Sequence, residues 1–278
     1  MALSFDSGNP RLVLGSISEL SGASQMSIAT WLKLDTNTVD AVIAMRGTTF
    51  EAAVPWVLWR DEAAAATARN KTLHAHLNTN AGIVSAVASD GLLDDTDQWH
   101  HVAMVFEAGQ SDGMRLFVDG VRDPYYESTV GHSQLVTTSD DVTIGLDDAS
   151  KWLQGDVAEF CITNDVLSDS EIAQLAAGRT PLALPNAPAR LVVYQDCIRS
   201  VNRPGIGPVA STAGTINPAP HPRVLPLCRN PIYVSDIHST IAGPHHQAAS
   251  AIRSSHCEPG TLFVTGTSGA TPTGEVHS

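Results

Sequence analysis

Oxygen donors are the first candidates for chemistry in this sequence. Asp94-Asp95-Thr96-Asp97 and Asp140-Asp141 with Asp147-Asp148 are acidic clusters in turn-rich stretches, and a hard cation such as calcium takes its ligands from carboxylates of this kind. No EF-hand spacing accompanies them. Asp94, Asp97, Asp147 and Asp148 therefore stand as calcium candidates, the other reading being acidic loops that only solvate an acidic protein. His74 and His76 share one face of a strand and could hold a transition metal. No third ligand is in view, and a pair on a polar face is the plainer reading. Trp56, Trp59 and Trp152 are candidate platforms for stacking a sugar ring. Trp56 and Trp59 face opposite sides of a strand, so at most one of them fills the core. An activated serine of the G-x-S-x-G type does not occur.

Short strands must position these groups. Ser27–Leu34, Ala41–Arg46, Val54–Arg60, Thr72–Leu77, Ile83–Val87 and His101–Phe106 are strand-length apolar or alternating runs separated by turn residues, the pattern of an all-β sandwich. Arg115–Val118, Asp119-Gly120 and Val121-Arg122 predict a hairpin closed by a two-residue type I′ turn, which needs positive φ at both positions. One helix is marked, from about Asp169 to Ala177. Ser168 and Glu171 form a capping box, Leu167 and Ile172 a hydrophobic staple, and Gly178 suits the left-handed residue that ends it.

Charge and proline divide the 278-residue chain after Thr180. The first part holds 10 basic and 25 acidic residues with 3 prolines; the last 98 residues hold 6 and 4, with 13 prolines and no lysine. The division places a domain at 1–179 and a Pro/Gly-rich extended arm at 180–278. Arg190–Tyr194, Pro231–Val234 and Thr261–Val264 could each add a strand to a sheet edge of this subunit or of a neighbour. Without a basic run, the chain is a poor partner for nucleic acid, and no apolar run reaches the ~18 residues that membrane insertion by a helix needs. Met1–Asp6 has neither a basic region nor an apolar core of a signal peptide, so synthesis in the cytoplasm is expected. Cys161, Cys197, Cys228 and Cys257 lack metal spacing. They read as free thiols, or as a late disulfide among Cys197, Cys228 and Cys257 if the protein ends outside cells.

Five segments in order carry a resemblance. Trp99-His100-His101-Val102-Ala103 followed by Leu116-Phe117-Val118-Asp119-Gly120 is similar to the W-H-H-V-A … L-Y-V-D-G signature of laminin-G-like, concanavalin-A-like jelly rolls. Ser27–Lys33, Thr143-Ile144-Gly145, Leu153–Phe160 and Leu167–Ile172 match further segments of that family. Ala158 departs from it, standing where an aspartate is usual. The resemblance implies a two-sheet antiparallel jelly-roll sandwich with one short helix, in which Trp31 and Trp99 are suited to the inter-sheet core. Such domains often bind calcium at the sheet rim. Related retaining β-glucanases carry acids as E-x-D-x-x-E on one strand. Asp156 and Glu159 are the nearest counterpart here, and an offset of three puts them on opposite strand faces.

These observations support a non-enzymatic reading. Jelly rolls followed by a Pro-rich extension resemble surface proteins of phage virions. The expected function is therefore a structural and adhesive protein of a virus particle (capsid decoration, head fibre or tail), a homo-oligomer joined to other virion proteins through its arm. The alternative is a calcium-dependent module that binds cell-surface glycans on a secreted protein, and a glycoside hydrolase is the remote third.

Overall fold

The computed structural model describes residues 2–5, 10–36, 38–47, 54–61, 72–88, 91–123, 132–145, 151–196, 206–207, 210–213, 215–220 and 222. Strands β1 (Ala2–Ser4), β2 (Arg11–Ser16), β3 (Gln25–Leu34), β4 (Ala41–Arg46), β5 (Trp56–Asp61), β6 (Thr72–Thr79) and β7 (Gly82–Val87) come first. They are followed by β8 (Trp99–Glu107), β9 (Met114–Val118), β10 (Val121–Arg122), β11 (Asp141–Ile144) and β12 (Gly155–Thr163). Helices α1 (Asp169–Ala176) and α2 (Ala187–Arg190) then lead to β13 (Leu191–Gln195), β14 (Ser211–Ala213) and β15 (Asn217–Ala219). Every described strand pairing is antiparallel and lies in one of two sheets.

One sheet runs β10-β9-β8-β3-β12-β1-β15, with β13 also paired to β12. The other runs β14-β2-β11-β4-β5-β6-β7. Between them lies a core that includes Leu12, Leu14, Ile28, Leu32, Trp56, Leu58, Leu77, Met104, Phe106, Ile144, Phe160 and Ile162. Alternation along each strand sends these residues inward and their neighbours to the outer faces.

The local signals act as their chemistry requires. Asp119 and Gly120 have φ of 51° and 79° between β9 and β10, the handedness a two-residue hairpin demands. A Cβ on Gly120 would stand 2.8 Å from the Ala176 Cβ, so a glycine also lets the hairpin seat on α1. At the helix start the Glu171 N–H donates to the Ser168 hydroxyl, and the Ser168 N–H donates to Glu171 at 2.9 Å. At its end the Arg179 N–H reaches the Gln174 carbonyl and the Gly178 N–H the Leu175 carbonyl, which is a Schellman closure.

The sheets continue past the charge boundary at 180. Arg190–Tyr194, a candidate edge strand, becomes β13 and pairs with β12 of the same chain. Leu184, Ala187, Leu191 and Tyr194 are buried with Leu167, Ile172 and Leu175 on the outer face of the first sheet. Arg190 fastens this segment. Its guanidinium donates to Asp165 at 2.5 Å, to both oxygens of Glu171 and to the Val166 and Pro185 carbonyls. Pro231–Val234, Thr261–Val264 and the cysteines 197, 228 and 257 lie outside the described residues. None of the helices among the described residues is long and apolar enough to cross a membrane.

Two further expectations are corrected. Trp31 and Trp99 do not fill the inter-sheet core; both are half-buried on the outer face of the first sheet, against Ala2, Ala158 and Ala219. In β3 the inward positions belong to Ile28, Leu32 and Leu34, so the odd-numbered Trp31 and Lys33 point out, and Trp99 sits opposite Lys33. The second concerns Asp156 and Glu159. Glu159 has φ 51°, and the register of β12 on β3 shifts between Ala158 and Cys161. Glu159 and Phe160 together stand opposite the single residue Thr30. This bulge resets the alternation, so both carboxylates turn to the outer face.

Candidate functional site

In the acidic loop before β8 and the hairpin beside it, one histidine engages two carboxylates. His100 places Nε2 2.7 Å from an Asp95 oxygen and Nδ1 2.8 Å from an Asp119 oxygen. Ionised carboxylates only accept, so these two contacts favour a proton on both ring nitrogens. The hydrogen bond to Asp119, reinforced by that to Asp95, raises the His100 pKa against the opposing effect of burial. Burial pushes the Asp119 carboxyl up, but the bonds from His100 and from the His101 N–H outweigh it and hold the carboxyl below its ordinary value. Asp94 and Asp97 lie in the same loop, both exposed, with Asp97 in a left-handed conformation at φ 66°. Among the described residues no group of three His, Cys, Asp or Glu side chains is placed to hold a metal ion. Asp147 and Asp148 lie outside the described residues.

The second sheet's outer face carries the histidine pair. Trp59 on the adjacent strand packs against both, its ring 5.0 Å from that of His74 and 4.7 Å from that of His76. Burial lowers the His76 pKa. Trp56 is wholly buried in the core and Trp59 is 7% exposed, so neither offers a ring face to a ligand. They do face opposite sides of β5: Trp59 belongs to an outer cluster with Val42, Met45, Val54 and Val57. Trp152 is half-buried.

On the first sheet's outer face both carboxylates of β12 are engaged. Asp156 pairs with Lys33 at 2.8 Å, and that hydrogen bond raises the lysine pKa. Glu159 accepts from the Tyr194 hydroxyl at 2.6 Å and from Thr180 at 3.3 Å. Burial, helped by the Glu159 charge, raises the Tyr194 pKa, which keeps the phenol protonated as a donor. A shallow crevice beside this carboxylate is lined by Ala29, Trp31, His101, Glu159, Leu175, Arg179 and Pro181. His101 is 2% exposed, its ring edge meets Trp31 at 5.4 Å, and its Nδ1 has no hydrogen-bond partner. Burial drives its pKa down to about 4, so this imidazole is neutral. Cys161 beneath the helix is buried, and burial pushes its thiol up to about 12, far from a reactive thiolate.

Sequence reasoning missed the Trp31–His101–Glu159 juxtaposition. Trp31 and His101 belong to two separate family-like segments, Ser27–Lys33 and Trp99–Ala103, which pair only in the sheet, and Glu159 reaches that face only through the bulge.

The comparisons with known proteins agree with this architecture. None of the curated proteins matches the chain. A heptameric SAP-like pentraxin from Limulus polyphemus superposes with a TM-score of 0.51 at 14% identity, over 78% of this chain and 93% of the pentraxin. A Bacteroides ovatus protein named for carbohydrate binding gives a TM-score of 0.57 at 16% identity, over 78% of this chain and 60% of its own length. At these identities the likeness is one of fold. The family profile described as the concanavalin A-like lectin/glucanases superfamily matches residues 6–173, more than half of the 278. With its two antiparallel sheets, capped helix and hairpin turn in the order that profile spans, the chain belongs to the laminin-G-like branch of the concanavalin A-like lectin/glucanase superfamily.

Proposed function

We propose that the protein is a non-enzymatic recognition module that binds carbohydrate and is carried on the surface of a virus particle. One observation carries the recognition half. The two carboxylates nearest to a hydrolytic pair are tied into structural contacts, Asp156 with Lys33 and Glu159 with Tyr194 and Thr180, on a fold of lectin-like relatives. A retaining hydrolase needs one such acid free to attack and another free to carry a proton. The assembly half rests on composition: an acidic front part and a Pro-rich, lysine-free remainder suit a solvated head and a docking segment.

The cut that tests assembly has to spare β13, β14 and β15, so it belongs after Val224, where the first compact unit ends. Light scattering of the full chain should give an oligomer and the shortened chain a monomer. Equal masses would refute the assembly role of residues 225–278. Binding of the full chain to an immobilised glycan array tests recognition, and hydrolysis of any bound glycan would overturn the non-enzymatic reading. Repeating the array with a chelator decides whether calcium, through Asp94 and Asp97 or Asp147 and Asp148, takes part.

A further inference from the structure

We infer that the outer face of the first sheet, at Trp31 and Trp99, is the surface on which a neutral oligosaccharide is held; this rests on the carbohydrate-recognition reading above. Trp31 in β3 lies opposite His101, and Lys33 lies opposite Trp99. The two tryptophans are therefore diagonal cross-strand neighbours on one face, with side chains about 7–8 Å apart. Ala2, Ala158 and Ala219, against which they pack, contribute only methyl groups, and no helix residue belongs to this cluster. The rest of the outer face is different: α1 and the segment leading to β13 cover it with Leu167, Ile172, Leu175, Leu184 and Leu191. Among the described residues, one half of the face is thus covered by α1 and the segment after it, and the other half carries two half-buried indoles beside small residues.

Polar groups border these indoles. The Lys33–Asp156 pair sits beside Trp99, and Arg179 and Glu159 line the crevice at Trp31. His101 supplies an independent sign of a ligand. A ring nitrogen that is buried without a partner costs about 1–3 kcal/mol, and the Nδ1 of this histidine, 2% exposed, is one. It lines the crevice together with Trp31. Apolar ring faces that stack on indoles, with hydroxyls that both donate and accept beside Asp156, Arg179 and His101, describe a sugar. Neutral sugars are favoured because the first 180 residues carry 25 acidic against 10 basic side chains, which repels acidic glycans.

The test uses the full chain labelled with ¹⁵N at its tryptophan indoles and titrated with cellotriose, xylotriose, arabinotriose, mannotriose and maltotriose. Binding of at least one of these should shift the indole signals of Trp31 and Trp99 and leave that of the buried Trp56 in place. Trp99→Ala should weaken that binding about tenfold or more, with an unchanged melting curve, while Trp152→Ala keeps the affinity. Should Trp99→Ala fail to fold, the indole shifts of the native chain still decide. A trisaccharide that binds but moves Trp152 instead, or that binds Trp99→Ala as well as the native chain, overturns this placement and leaves the recognition reading standing. Failure of every neutral glycan, on the array and in the titration, overturns both.

Discussion

Replacing Arg190 with alanine removes the clamp between the segment that follows residue 180 and the start of α1. The guanidinium is 17% exposed, and Glu171, its main partner, is 11% exposed, so solvent screens the pair only in part. The hydrogen bond from Arg190, followed by those from the Ser168 backbone and hydroxyl, lowers the Glu171 pKa from 4.5 to about 2. A depression of that size corresponds to about 3 kcal/mol of native-state preference for the carboxylate. Ser168 supplies some of it, which leaves about 2 kcal/mol for Arg190. Because the folded pKa lies below the unfolded one, this contribution is complete above about 4.5 and is lost as pH falls toward about 2. Urea titrations of the native chain and Arg190→Ala should therefore differ by about 2 kcal/mol near neutrality, and the gap should close across that acid window. Arg190→Lys should recover only part, since an ammonium cannot reproduce the forked contact with Asp165 and Glu171. A deficit below about 0.5 kcal/mol, or one that stays constant through the acid range, would refute the reasoning.

Three other outcomes are expected. His100→Gln should be less stable than the native chain by about 1 kcal/mol below pH ~6.5, the two aspartates being half exposed. Because His100's folded pKa is raised, that difference should vanish as pH climbs through it, and an NMR titration placing the His100 pKa at or under its ordinary value would contradict this. Gly120→Ala meets both a φ of +79° and Ala176 at 2.8 Å, so it should cost about 2–3 kcal/mol in denaturant melts. Tyr194→Phe withdraws the 2.6 Å donor from a buried Glu159 and should lower stability by about 1–3 kcal/mol, measured at neutral pH; a neutral effect would show that Glu159 does not depend on it.

The local elements were legible in the residues that build them. Asp119-Gly120 forces a hairpin of one handedness, and Ser168, Glu171 and Gly178 start and stop a helix through bonds within a few residues of each other. The strand runs and the W-H-H-V-A and V-D-G segments were enough to indicate the sandwich, because side-chain alternation and turn chemistry are short-range properties. Charge and proline content drew a boundary at 180 that the sheets do not respect. A strand joins a sheet through backbone hydrogen bonds and apolar contacts, and Leu191 and Tyr194 supply those whatever prolines stand nearby.

Only the tertiary structure decided the faces. Period-two alternation says that Trp31 and Leu32 point in opposite directions; which of them is inside depends on the sheet packed across from them. The relation of Asp156 to Glu159 is set by one extra residue opposite Thr30, a shift in β12 that appears only when its partner strand is in place. His100 likewise finds its two carboxylates 5 and 19 residues away, because one lies in its own preceding loop and the other on the adjacent hairpin. The sequence by itself determined a capped, turn-punctuated β-sandwich of a recognisable family. The chemistry of its surface depended on register, which no single strand specifies alone.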